Sequence, residues 1–196
     1  VRRSPSSRLR QFRSRFVRAE HGATAVEFAL VSLPLLLMIF GLLELAMVFL
    51  VGATLESATE RAARQIRTGE FQTSADSSAT NFKAIVCSNM SWLSSRCASD
   101  LWLDVRTFSN YGTAAAAAPI NPTTFDPVNH PPCFSPGQPT DIVLVRAYFE
   151  WGLFTPLLDA ALENMGGGSG KRLISSTTAF RNEPYSATPP QGASAC

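Results

Sequence analysis

Histidine is scarce in this chain, with only His21 and His130, and no two cysteines are spaced as C-x-x-C. Close Cys or His pairs are what zinc frameworks need, so no metal site is expected. His21 sits in an arginine-rich segment and His130 in a proline-rich one, and neither can complete a Ser-His-Asp or Cys-His arrangement. Carboxylate pairs such as Asp104 with Glu150 could come close across strands, and a solvated sheet face is the commoner use of such residues. The run Gly166 to Gly170 followed by Lys171 lacks the first glycine and the hydroxyl residue of a phosphate-binding loop, and a helical pattern precedes it. No catalytic residue and no cofactor is therefore expected, and the chain reads as non-enzymatic.

Charge is missing in two places. Before Gly22 the only acid is Glu20, against Arg2, Arg3, Arg8, Arg10, Arg13, Arg15 and Arg18, and beyond Gly22 the balance turns to 10 basic against 14 acidic residues. From Phe28 to Leu43 there are 16 consecutive residues with no charge at all, and apart from Glu44 the apolar character runs to about Leu55. That is enough to cross a bilayer. A secretory signal peptide would end at a small-residue cleavage site, which is lacking near Glu44 to Val51. The basic cluster before the span predicts an N-terminus retained in the cytoplasm and residues beyond about 68 outside. An arginine-rich arm for nucleic acid is the weaker reading, because no aromatic or basic platform follows it.

Helical spacing continues past the span. Leu55, Thr59, Ala62 and Ile66 share a stripe, Glu60 and Arg64 make an i,i+4 pair, and Gly69 reads as the C-cap. From Ala23 to Arg67 this predicts roughly 68 Å of helix at 1.5 Å per residue, with Pro34 tolerated inside it. The expected order is then a basic cytoplasmic leader (1–22), a transmembrane and stalk helix (23–69), an α+β head outside the membrane (70–183) and a flexible tail (184–196).

Within the head, Phe82 to Cys97 reads as short helix or ordered loop. Leu101, Leu103 and Val105 alternate with Trp102, Asp104 and Arg106, and Val143, Val145, Ala147, Phe149 and Trp151 form one apolar face, so two half-buried strands are expected. Leu173 to Phe180 is a third, weaker strand. Between the first two, residues 109–140 hold the tract Ala114 to Ala118 and seven of the 13 prolines, a composition expected to give an extended, variable loop at the tip. Thr155 and Pro156 read as the start of a short helix burying Leu157, Leu158, Ala161, Leu162 and Met165. All four cysteines lie on the side assigned as external, which suits an oxidising compartment. Cys87 and Cys97 are the favoured bridge, with Cys133 and Cys196 either paired or free.

Two stretches resemble TadE-like proteins, the minor pseudopilins of bacterial tight-adherence (Flp) pilus systems. One runs from Gly22 through Glu27-Phe28, Pro34, a leucine-rich core and Glu44-Leu45 to Glu60-Arg61-Ala62-Ala63-Arg64. The other is Arg181-Asn182-Glu183-Pro184-Tyr185, similar to the family's usual ending of its last strand. The resemblance implies that a prepilin peptidase cuts between Gly22 and Ala23, making Glu27 the fifth residue of the mature chain. Major pilins of these systems carry Glu-Tyr where this chain has Glu27-Phe28, which together with the folded head favours a minor subunit.

A carboxylate near the bilayer centre costs about 2.5–3.5 kcal/mol on insertion scales and is usually paired. The implied partner of Glu27 is the α-amine that cleavage creates on a neighbouring subunit, and the alternative is a Glu27 at the interface that simply begins the helix. Glu44 resembles a second family acid and is expected with Glu27 and Phe28 among the assembly residues, with no partner assigned. The implied partners are other pilin or pseudopilin subunits, the pilus assembly machinery, the peptidase and the bacterial inner membrane, with no nucleic acid. The competing reading is an uncleaved, single-pass binding module whose loop 109–140 engages a partner.

Overall fold

The computed structural model describes residues 20–129, 132–155 and 159–186. Most of the basic leader, His130, Pro156 to Leu158 and the end of the tail with Cys196 lie outside them. The chain forms two units, one up to Leu43 and one from Glu44 onward.

The first unit is helix only. It holds the N-terminal part of α1 (Glu20–Arg67), which Pro34 does not interrupt. Side chains from Val26 to Leu43, among them Phe28, Leu30, Leu36, Phe40 and Leu42, are exposed. An 18-residue window of this helix has a mean hydropathy of 2.6. A soluble helix hides such side chains in a core, whereas these cover a length suited to a bilayer.

The second unit begins inside α1. From Glu44 the helix changes character, and Val51, Leu55, Ala58, Ala62, Ala63 and Ile66 turn one face into a core shared with the sheet. Their spacing of three and four residues keeps them on one stripe, and the alanines allow the sheet to approach closely. The other elements are α2 (Ala79–Asn89), capped by the Ser78 side chain, then α3 (Ser94–Asp100), β1 (Leu101–Phe108), α4 (Tyr111–Ala116), β2 (Ile142–Gly152), α5 (Asp159–Leu162) and β3 (Lys171–Arg181). The three strands form one antiparallel sheet in the order β1-β2-β3, with Val105 opposite Val145 and Val145 opposite Thr178. The fold is α+β, a long apolar helix followed by a small domain of three strands and short helices. Cys87 and Cys97, with Cα atoms 5.5 Å apart, form a disulfide that ties α2 to α3. Closing so short a loop is worth about 3 kcal/mol on a chain-entropy basis. Cys133 is also disulfide-bonded.

Two expectations are corrected. The strand carrying the Val143 to Trp151 face is not half-buried: β2 is the central strand, and Ile142, Leu144, Arg146 and Tyr148 on its second face are buried as well. The cover comes from residues 109–140, which form no extended tip. The Arg146 guanidinium donates to the carbonyls of Ala117 and Ala118, and the Tyr148 hydroxyl accepts from the Ile120 N–H. Further on, the Val105 N–H donates to the Cys133 carbonyl, the Ser135 N–H donates to the Val105 carbonyl, and Phe134 enters an aromatic cluster with Phe71 and Phe82. A buried arginine and a strand edge in need of partners hold this proline-rich chain in place, which its composition does not announce. The expected helix start after Thr155 falls on Pro156 to Leu158, outside the described residues; among the described residues the Thr155 hydroxyl has no partner and the helix is seen from Asp159.

The far end of α1 is sealed by the C-terminal motif. The Glu183 N–H donates to the Arg67 carbonyl at 2.8 Å, supplying a donor to a helix end whose last carbonyls have none within the helix, and the Glu183 carboxylate sits 3.3 Å from the Arg67 guanidinium. Glu60 and Arg64 form no ion pair among the described residues. Asn182 is buried and donates to the Pro136 and Gln138 carbonyls. Gly69, at φ +78°, turns the chain, and the Tyr185 ring lies where a side chain at 69 would be, 2.3 Å from an added Cβ. Burial raises the Tyr185 hydroxyl above its ordinary pKa. Gly69→Ala combines a left-handed backbone with displacement of this ring, and we expect it to cost about 3 kcal/mol. Chemical unfolding of the full chain in detergent measures this, and a change below about 1 kcal/mol would mean that the Tyr185 contact is dispensable.

Candidate assembly helix and its carboxylates

Two acids stand in the apolar part of α1, and their surroundings differ. Glu27 is exposed among exposed Val26, Phe28 and Leu30, and among the described residues it has no hydrogen-bond or ion-pair partner. Gly22, on the N-terminal side of the expected cleavage point, is an exposed helical residue.

Glu44 is 0% exposed. The Phe154 N–H donates to its Oε1 at 2.9 Å and the Thr155 N–H donates to its Oε2 at 2.8 Å. The local sequence explains the geometry. β2 ends at Gly152, and the Leu153 N–H is taken by the Gly170 carbonyl. The next two amides leave the sheet with no strand opposite them, and one carboxylate satisfies both. Hydrogen bonds to a charged acceptor contribute about 1.5–3 kcal/mol each, and burying the same carboxylate without them would cost several. The acid therefore already has partners within its own chain, which the sequence did not disclose because they are backbone groups more than 100 residues away.

The other acids weighed for chemistry have structural duties. Asp104 accepts from the Arg106 Nε and from the Cys133 N–H and lies 4.0 Å from the Arg146 guanidinium, while Glu150 accepts from the Trp102 indole and the Lys171 ammonium. They do not form the cross-strand pair that was considered. Asp104 stands opposite Arg146 on β2, so its carboxylate serves to fasten the 109–140 segment to the sheet. An apolar concavity of about 660 Å³ is bordered by Ala79, Lys83, Cys87, Trp102, Pro132 and Phe134, and Lys83 is the one charged residue among its described lining. Desolvation lowers the Lys83 pKa, and its ammonium donates to the Ala98 carbonyl and lies over the Trp102 ring.

A long, exposed, apolar N-terminal helix that continues into a small disulfide-bonded α+β head is the arrangement of a protein with a single helical membrane anchor. Residues 22–64 match the sequence model of the TadE-like protein family. That family is one of pilus-related membrane proteins with an N-terminal apolar helix, a non-enzymatic kind of protein. The matched segment contains Gly22, Ala23, Glu27, Phe28 and Glu44, whereas Arg181, Glu183, Pro184 and Tyr185 lie outside it. No curated protein and no solved structure matches the chain.

If Glu44 is a clamp on the 154–155 backbone, Glu44→Ala lowers the stability of the isolated chain by about 3 kcal/mol, and Glu44→Gln, which keeps one acceptor oxygen, costs roughly half of that. Thermal unfolding in detergent gives the order. Unchanged stability in both variants would return Glu44 to the role of an intermolecular assembly residue.

Proposed function

We propose that the chain is a non-enzymatic minor pseudopilin, cleaved between Gly22 and Ala23 by a prepilin peptidase, that helps assemble or anchor a tight-adherence type pilus. The observation that carries this reading is the coincidence of the TadE-like match over residues 22–64 with an apolar helix on which Glu44 is bonded within the chain and Glu27 has no partner among the described residues.

The length of the helix adds a physical reason. Glu27 and Glu44 are about 26 Å apart along the axis, less than the ~30 Å of a hydrocarbon core. Both carboxylates thus cannot stand outside the core of an average bilayer when the helix crosses upright. Glu44 meets this constraint with two backbone amides of its own chain, which leaves Glu27 towards the inner edge of the core, to be matched by a second subunit. The α-amine freed at Ala23 of a neighbouring helix is the matching positive group, and Phe28 beside Glu27 provides apolar contact to the same neighbour. The arginines before Gly22 keep the N-terminus in the cytoplasm, so the segment from Glu44 faces the oxidising side, consistent with its disulfides. The leader 1–22, membrane helix and head remain the working division of the chain, with α1 from Glu44 packed into the head.

Mass spectrometry of protein isolated from membranes that contain an active prepilin peptidase tests the reading. The expected mature chain begins at Ala23. A chain that still carries residues 1–22 would leave an uncleaved membrane-anchored binding module in its place.

A further inference from the structure

The head has an apolar end. Leu45, Phe49 and Leu50 on α1 are 40%, 75% and 50% exposed, and Phe154, in the loop after β2, is 50% exposed. The Phe154 N–H is bonded to Glu44, which fixes the backbone of that loop at the level of Glu44 on the helix. Leu50 lies six residues further along α1, about 9 Å beyond Glu44. Exposed Glu56, Glu60 and Arg61 follow, so the apolar surface gives way to charge there. Glu44 is the first residue of the head and Leu43 the last of the apolar helix, so this end of the head is one peptide bond from the segment that crosses the bilayer.

We propose that the head is seated in the lipid surface, with Phe154 as an aromatic anchor below the outer boundary of the hydrocarbon and Leu45, Phe49 and Leu50 exposed to acyl chains. Three observations bear on the same occupant. The exposed apolar side chains run without a charged interruption from Phe28 to Leu50 once Glu44 is counted as buried, about 33 Å of helix against a core of ~30 Å. A bilayer ending at Leu43 would leave Leu45, Phe49, Leu50 and Phe154 in water. The only acid inside that length carries two backbone donors and no exposed surface, as a carboxylate placed below a lipid surface requires. Moreover, the Phe154 backbone is held by the Glu44 clamp while half of its side chain is exposed, an arrangement suited to an apolar surface. In this seating Glu27 lies at the inner boundary, next to the level of an amine at Ala23. The proposal rests on α1 crossing a bilayer and is independent of cleavage.

Replacing Phe154, and in a second variant Phe49, by p-benzoylphenylalanine in the full chain tests it. Each variant is reconstituted in vesicles of phosphatidylethanolamine and phosphatidylglycerol, irradiated and analysed by peptide mass spectrometry, with the exposed Tyr111 position as control. The expected result is a phospholipid adduct at 154 and at 49, and none at 111. An adduct at 49 without one at 154, equal labelling at 111, or capture of a second protein chain at 154 in place of lipid would each overturn the proposal. Because neither site touches the Gly22 to Ala23 bond, a negative result leaves the cleavage reading standing.

Discussion

A carboxylate in the middle of an apolar helix has to find hydrogen-bond donors, and in this protein that requirement joins distant parts of the chain. Glu44 takes the amides of Phe154 and Thr155, 110 and 111 residues away. This holds the exit of the central strand against α1 at the point where the helix passes from exposed apolar surface to core. At the opposite end of the same packed segment, Glu183 and Tyr185 close over Arg67 and Gly69. The helix is thus fastened to the sheet at both ends, and between them Val51, Leu55, Ala58, Ala62 and Ile66 fill the interface.

The two acids in the apolar part of α1 thereby differ in their surroundings. The Glu44 carboxylate is bonded to two backbone amides of its own chain. Glu27 lacks such a partner among the described residues and stays available to another chain. A subunit that must enter an assembly needs one unmatched group to be matched there and no others, because each further unmatched charge in lipid would oppose insertion of the monomer.

What was legible in the sequence follows from the range of the interactions involved. Helix spacing, strand alternation and the cysteine loop are local patterns, so α1, β1, β2, β3 and the Cys87 to Cys97 bridge could be read before any coordinates. The placement of residues 109–140 could not. It depends on Arg146, which looks like an ordinary strand residue until Ala117 and Ala118 offer carbonyls to it from 29 and 28 residues away. The partners of Glu44 were hidden for a similar reason, since backbone amides have no sequence signature. The Arg181 to Tyr185 motif was recognised only as a likeness, and its physical duty emerged from Gly69, whose missing side chain makes room for the Tyr185 ring.

The division of labour between the two carboxylates is the central claim, and zero-length cross-linking measures it directly. Assembled subunits treated in the membrane with dicyclohexylcarbodiimide, which couples a carboxylate to an adjacent amine, should yield a peptide joining Glu27 of one subunit to the Ala23 amine of another, and none joining Glu44. A product through Glu44 with Glu27 unreacted would contradict the account.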